Sequence, residues 1–143
     1  GSADVTLYYD SLSSVKVSGA NVSVAGVLSA VMLDIDLSAG ATFGAELATK
    51  DTYMKVAGNS VANVTGTTKH FTLVDGARSK VDCRALTAED VRVEAGSAAE
   101  VYVNVTERLQ MTADTGAAIF YKGSPEILRS SSKMLGTINN IGQ

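Results

Sequence analysis

The chain contains no tryptophan, one cysteine, one histidine and one proline, and only 6% of its 143 residues are aromatic. Each shortage excludes something. Cys83 alone cannot form an internal disulfide, so cysteine usage leaves the redox compartment open. Nowhere do histidine and cysteine cluster at the spacing of a zinc site. With 45% hydrophobic residues and so few aromatic ones, the core must be built from Val, Ala, Leu and Ile. No stretch approaches the roughly 18 consecutive apolar residues that a membrane span needs. The net charge of −3 is spread along the chain and no basic stripe is present, which argues against nucleic acid as a partner. Thirteen glycines against one proline read as many tight turns rather than a disordered linker.

What is present is a repeat. The segment 91–105 reads VRVEAGSAAEVYVNV, and 71–83 reads FTLVDGARSKVDC with the same outline. Aligned on the glycines that follow a short apolar alternation, the copies centre on Gly19, Gly40, Gly58, Gly76, Gly96 and Gly116, at intervals of 21, 18, 18, 20 and 20. Alternating pairs precede each glycine, such as Ile35 and Leu37 or Val91 and Val93. Others follow most of them, such as Val81 and Cys83 or Val101 and Val103. Period-two alternation predicts strands with one buried and one wet face. A turn that recurs in one place usually needs a positive φ, which glycine takes at no steric cost. The one helix-like start, TAEDVRVEA at 87–95, is better read as strand because of its alternation and β-branched residues.

Two architectures suit short strands at this spacing: an antiparallel β-sandwich or barrel, and a β-solenoid. Only a solenoid requires successive units to resemble one another, because each coil must present similar side chains at the same height. The expectation is therefore an all-β, right-handed parallel β-helix of six to seven coils of 18–21 residues. Seven such coils would make a rod roughly 30 Å long. Residues 1–143 are read as one domain, with 5–26 as first coil and 124–143 as final coil and cap. Gly1 and Ser2 read as a cloning scar, with an export leader expected to have been trimmed ahead of them.

Copies of the pattern φ-x-φ-x-x-G-[AS]-x-x-x-φ, followed by Tyr121-Lys122-Gly123-Ser124-Pro125-Glu126-Ile127, resemble the head GIN domain family of auto-transporter adhesins over roughly residues 12–143. The resemblance implies an exported, extracytoplasmic protein of the periplasm or cell surface, of a kind found in Bacteroidetes. It brings no catalytic residues with it.

The residues that could carry chemistry are few. His70 should face solvent between core positions, and no Gly-x-Ser-x-Gly elbow accompanies it, so a catalytic triad is disfavoured. Cys83 stands seven residues after Gly76, as Val103 stands after Gly96, and should be a buried apolar position. Asp34 and Asp36 should face outward, with Lys55, Thr72, Arg92 and Gln110 at equivalent outward sites on later coils. A face of mixed charge is a poor match to the paired acids of a polysaccharide-cleaving enzyme. Tyr8, Tyr9, Tyr102 and Tyr121 are candidates for stacking on sugars, with capping of the first coil the favoured role for Tyr8 and Tyr9. Asn21, Asn63 and Asn104 begin glycosylation sequons, relevant only in a glycosylating pathway.

The function expected is a non-enzymatic adhesin-like or scaffolding role at the cell envelope, through carbohydrate or another envelope protein. The alternative is a polysaccharide-active enzyme or a carbohydrate-binding module on the same fold. The candidate surface contacts are Tyr8, Tyr9, Asp34, Asp36, Lys55 and Arg92, with no cofactor and no metal. Contacts between copies, where they form, are expected along residues 5–24 rather than 124–143, because the N-terminal stretch is strand-prone, nearly uncharged and free of proline.

Overall fold

The computed structural model describes residues 4–8 and 14–142. Its strands are β1 (Asp4–Tyr8), β2 (Ser14–Ser18), β3 (Asn21–Ser38), β4 (Thr42–Val56), β5 (Val61–Asp75), β6 (Lys80–Ala95), β7 (Glu100–Ala113), β8 (Ala118–Lys122), β9 (Glu126–Ser132) and β10 (Thr137–Asn140). Every pairing among them is parallel, and each long strand from β3 to β7 pairs with the next. The result is a β-solenoid of about seven turns, not an antiparallel sandwich. The stretch 87–95 lies inside β6 as strand, where alternation outweighs its helix-like start.

Each coil from β3 to β7 is one long bent strand and one tight turn. In β4, Phe43 and Leu47 point inward before the bend, and Thr52, Met54 and Val56 after it. The parity slips at the bend, and there Thr49, Thr52 and Thr68 satisfy one another through hydroxyl contacts of 2.6, 2.9 and 3.2 Å. Register then stacks like on like. The column Ile35–Met54–Leu73–Val93–Met111 is fully buried, with Val15 of the first coil beneath it. Cys83 lies in the core as a free thiol, and burial pushes its pKa well above the ordinary range.

The turns depart from the glycine alignment in an instructive way. Their first residues are Ser38, Ala57, Gly76, Gly96, Asp114 and Lys133, at intervals of 19, 19, 20, 18 and 19. The next two residues of each turn both take positive φ, the pattern of a type I′ turn. In five of the six, the fourth residue's N–H donates back to the first residue's carbonyl, as from Ser79 to Gly76 at 3.1 Å. Around Ala57 the Ser60 hydroxyl closes the turn instead, at 2.6 Å.

Glycine occupies no constant place in this frame. Gly40, Gly58 and Gly116 fill left-handed positions and Gly19 is left-handed as well, but Gly76 and Gly96 stand first in their turns at ordinary φ. There Ala77, Arg78, Ser97 and Ala98 carry the left-handed conformation. Such a backbone costs an L-residue roughly 1–2 kcal/mol. Hydrogen bonds between stacked turns offset it: Asn59 N–H donates to Ala77 C=O at 3.0 Å, and Arg78 N–H to Ser97 C=O at 2.9 Å. Sterics do require glycine elsewhere, as at Gly66 in the bend, where a Cβ would collide with the Leu47 carbonyl.

The two ends differ. Val15 and Val17 of the first described coil are buried, whereas the last coil exposes Ile127, Leu128, Met134 and Leu135. The C-terminal end is therefore more apolar than a polar cap would be. Its edge strand β9 is nevertheless irregular at Leu128, where the register with β7 shifts, and it carries Glu126 and Arg129, features that disfavour edge pairing.

Candidate functional site

Parallel in-register stacking turns single outward residues into rows. After the bend, one row runs Asp34–Tyr53–Thr72–Arg92–Gln110–Arg129, with Ser14 beneath Asp34. Beside it runs Lys16–Asp36–Lys55–Val74–Glu94–Thr112. A third row reads Asp51–His70–Asp90–Arg108–Glu126. Adjacent members of a row are one strand spacing apart, about 4.8 Å.

The sequence-predicted residues divide between two grooves on this face. Asp34, Asp36 and Lys55 come together in the first, with Lys16 and Ser14, over a floor of Val15 and Ile35. Tyr53 completes it, with 43% of its surface exposed. Sequence reading passed over this tyrosine and placed Lys55 at an outward site equivalent to the Asp34 and Asp36 pair without resolving which of the two it stacks on. The register puts Tyr53 level with Asp34 and Lys55 level with Asp36. Its position immediately before inward-facing Met54 was the available signal.

Arg92 lies two coils further on, bordering a second groove with His70, Thr72, Asp90, Arg108 and Gln110 over Phe71 and Val91. Most charges there are already engaged. Arg108 Nε and Nη2 donate to the two oxygens of Asp90 at 2.8 and 3.1 Å, and His70 Nδ1 lies 3.1 Å from the same carboxylate. The hydrogen bond from Arg108 is the main reason Asp90 is held below the usual carboxylate range. Arg92 makes one exposed contact, Nη2 to Glu94 Oε1 at 3.1 Å. Among the described residues Arg129 has no acid within ion-pair distance, and no hydroxyl hydrogen-bonds the His70 ring. Nor, among them, does any cluster of three or more His, Cys, Asp or Glu present a metal site.

Tyr102 sits on the stretch before the bend and is used differently. Its ring stacks on Phe120 of the next coil at 4.8 Å with 13° between planes. From the preceding coil the Arg84 guanidinium approaches to 4.7 Å of its centroid and Lys80 to 5.7 Å. Asp82 fixes Arg84 through bonds of 3.0 and 2.7 Å, and that bonding holds the Asp82 carboxyl low. Tyr102 is thus spent on internal contacts. Tyr121 is half-buried against the core. The backbone of Tyr8 pairs with Ala25 in β3, while Tyr9 lies outside the described residues.

No curated protein and no solved structure matches the chain. Among the described residues no helix is long and apolar enough to cross a membrane. The family described as "Putative auto-transporter adhesin, head GIN domain" matches residues 1–125, reaching the N-terminus and stopping before β9 and the last coil. A match over most of the chain, on coils that stack in the register its repeat implied, places this protein in that head GIN domain adhesin family.

Proposed function

We propose that the protein is a non-enzymatic, exported adhesin-like module that contacts carbohydrate through the groove centred on Tyr53. The observation that carries this reading is the tyrosine itself. It stands between the short side chains of Asp34 and Thr72, with no aromatic partner among the described residues and nearly half its surface exposed. A tyrosine presented in this way offers an apolar surface for the C–H face of a sugar ring. Asp34 and Asp36 can accept hydrogen bonds from ring hydroxyls, and Lys16 and Lys55 can donate them. A few polar groups placed around an apolar surface fit a recognition site. The family name supports the adhesin role and, with it, export.

The test is a glycan array probed with the wild-type chain and with Tyr53→Ala. Wild type should retain a defined set of glycans, and Tyr53→Ala should lose at least tenfold in affinity for them while staying folded. Retention unaffected by Tyr53→Ala, or no retention by the wild type, overturns the reading.

A further inference from the structure

We propose that the row continuing from Tyr53 selects an acidic polysaccharide, lying along the solenoid axis with its anionic groups at Arg92 and Arg129. This rests on the carbohydrate reading of the Tyr53 groove and adds the chemical class of the ligand. The argument starts from register. Tyr53, Arg92 and Arg129 are successive alternate members of one row, with Thr72 and Gln110 between them. Platform, cation and cation are therefore evenly stepped, two strand spacings or about 10 Å apart. That step is on the scale of a disaccharide unit, so a chain charged on alternate sugars would meet an arginine at each charge.

Availability of the cations supports the same class. Arg108 is committed to Asp90 by a two-point contact and is not free to bind. Arg129 has no acidic partner among the described residues. Arg92 holds only Glu94, in a pair exposed on both sides, and such pairs exchange readily for a better-placed anion. Arg92, Gln110 and Arg129 border one depression, with Thr112 and Glu94 on its far side. Guanidinium groups match carboxylate and sulfate oxygens in two-point contacts, and the Gln110 amide can bond a hydroxyl between them. Thr72 keeps the path low between the tyrosine and the first arginine. At the other end Asp34 and Asp36 disfavour an anion, which leaves an uncharged sugar as the occupant over Tyr53.

The test compares three polymers on the intact chain by surface plasmon resonance: hyaluronate, with one carboxylate per disaccharide; polygalacturonate, with one on every sugar; and neutral dextran. Hyaluronate should bind most tightly and weaken as salt rises from low to physiological concentration. The double variant Arg92→Gln/Arg129→Gln should lose at least tenfold in hyaluronate affinity. A control with the same change of net charge, Arg78→Gln/Lys122→Gln, should stay within twofold of wild type. Equal losses in the two double variants, or a loss under twofold at Arg92/Arg129, would overturn the proposal. Equal binding of dextran and hyaluronate, abolished by Tyr53→Ala, would also overturn it while leaving the Tyr53 reading intact. Failure of all three polymers together with a blank glycan array would remove both.

Discussion

Two runs of residues are built by the same strands in the same register. Inside the coil lies the column Leu37–Val56–Asp75–Ala95–Ala113, and outside it the row Asp34–Tyr53–Thr72–Arg92–Gln110. A change of residue type means opposite things in the two. Outside, each coil contributes a different side chain at little energetic consequence, and that variety is what a binding face needs. Inside, the departure within this column is Asp75. It is 2% exposed, and neither carboxylate oxygen has a hydrogen-bond partner among the described residues. A lateral neighbour one coil away tolerates diversity in water and penalises it in the core.

The sharpest way to break the comparison is to add a second carboxyl group inside. Cys83→Asp buries another carboxyl in the same core and should lower stability by about 3–5 kcal/mol, the scale of an uncompensated buried charge. Urea denaturation measures it, and a loss under about 1 kcal/mol would mean that position 83 reaches water. Native Cys83 should likewise label slowly with thiol reagents.

The next largest effect removes the exception. Asp75→Val, which restores the character of Val56 beneath it, should raise stability by about 1–3 kcal/mol, the scale of one unsatisfied buried polar group. The pH dependence follows from the same residue. Burial pushes Asp75 from its ordinary 3.8 up to about 8, against a smaller opposing pull from the Gly76 amide. Between those values the folded chain keeps a proton that the unfolded chain has released. Stability from this group is full below about pH 4 and is lost as the pH rises toward about 8. The slope can approach about 1.4 kcal/mol per pH unit. Asp75→Asn should flatten it, and a slope that survives this variant belongs to another group.

The smallest effect lies outside, where the comparison can be sharpened between two tyrosines. Tyr102→Ala removes a stacked ring and two cation–π contacts and should cost about 1–2 kcal/mol. Tyr53→Ala, with no ring partner among the described residues to lose, should stay within about 0.5 kcal/mol. Similar losses in thermal unfolding of the two variants would mean that Tyr53 is also a structural residue.

Much of this was legible in the sequence because period-two alternation reports side-chain facing directly. The solenoid, the inward Cys83 and the outward Asp34, Asp36, Lys55 and Arg92 all follow from it. The turn frame was blurred because glycine marks it unevenly: hydrogen bonds between turns let Ala77, Arg78, Ser97 and Ala98 hold left-handed backbone. The parity slip at the threonine bend was illegible for a similar reason, since the Thr49–Thr52 pair is completed by Thr68 of the next coil. Asp75 could have been found by carrying the Phe71–Leu73 alternation one step further, but an aspartate before a glycine reads as a turn residue. The site was harder still. Whether Tyr53 is bare and Tyr102 covered depends on Thr72, Phe120 and Arg84, residues some twenty positions away that only the register brings alongside.

The near-constant interval between turns also makes length a quantised property of this protein. One extra residue in β5 would turn Phe71 and Leu73 outward and break every column that crosses that coil. Duplicating a whole unit such as 76–95 would supply a full inward set and a full turn, and would part the two ends by one strand spacing, about 4.8 Å. Growth or loss of reach is therefore open only in whole coils. A ligand repeat matched to alternate coils would stay in phase across an insertion only if coils were added in pairs.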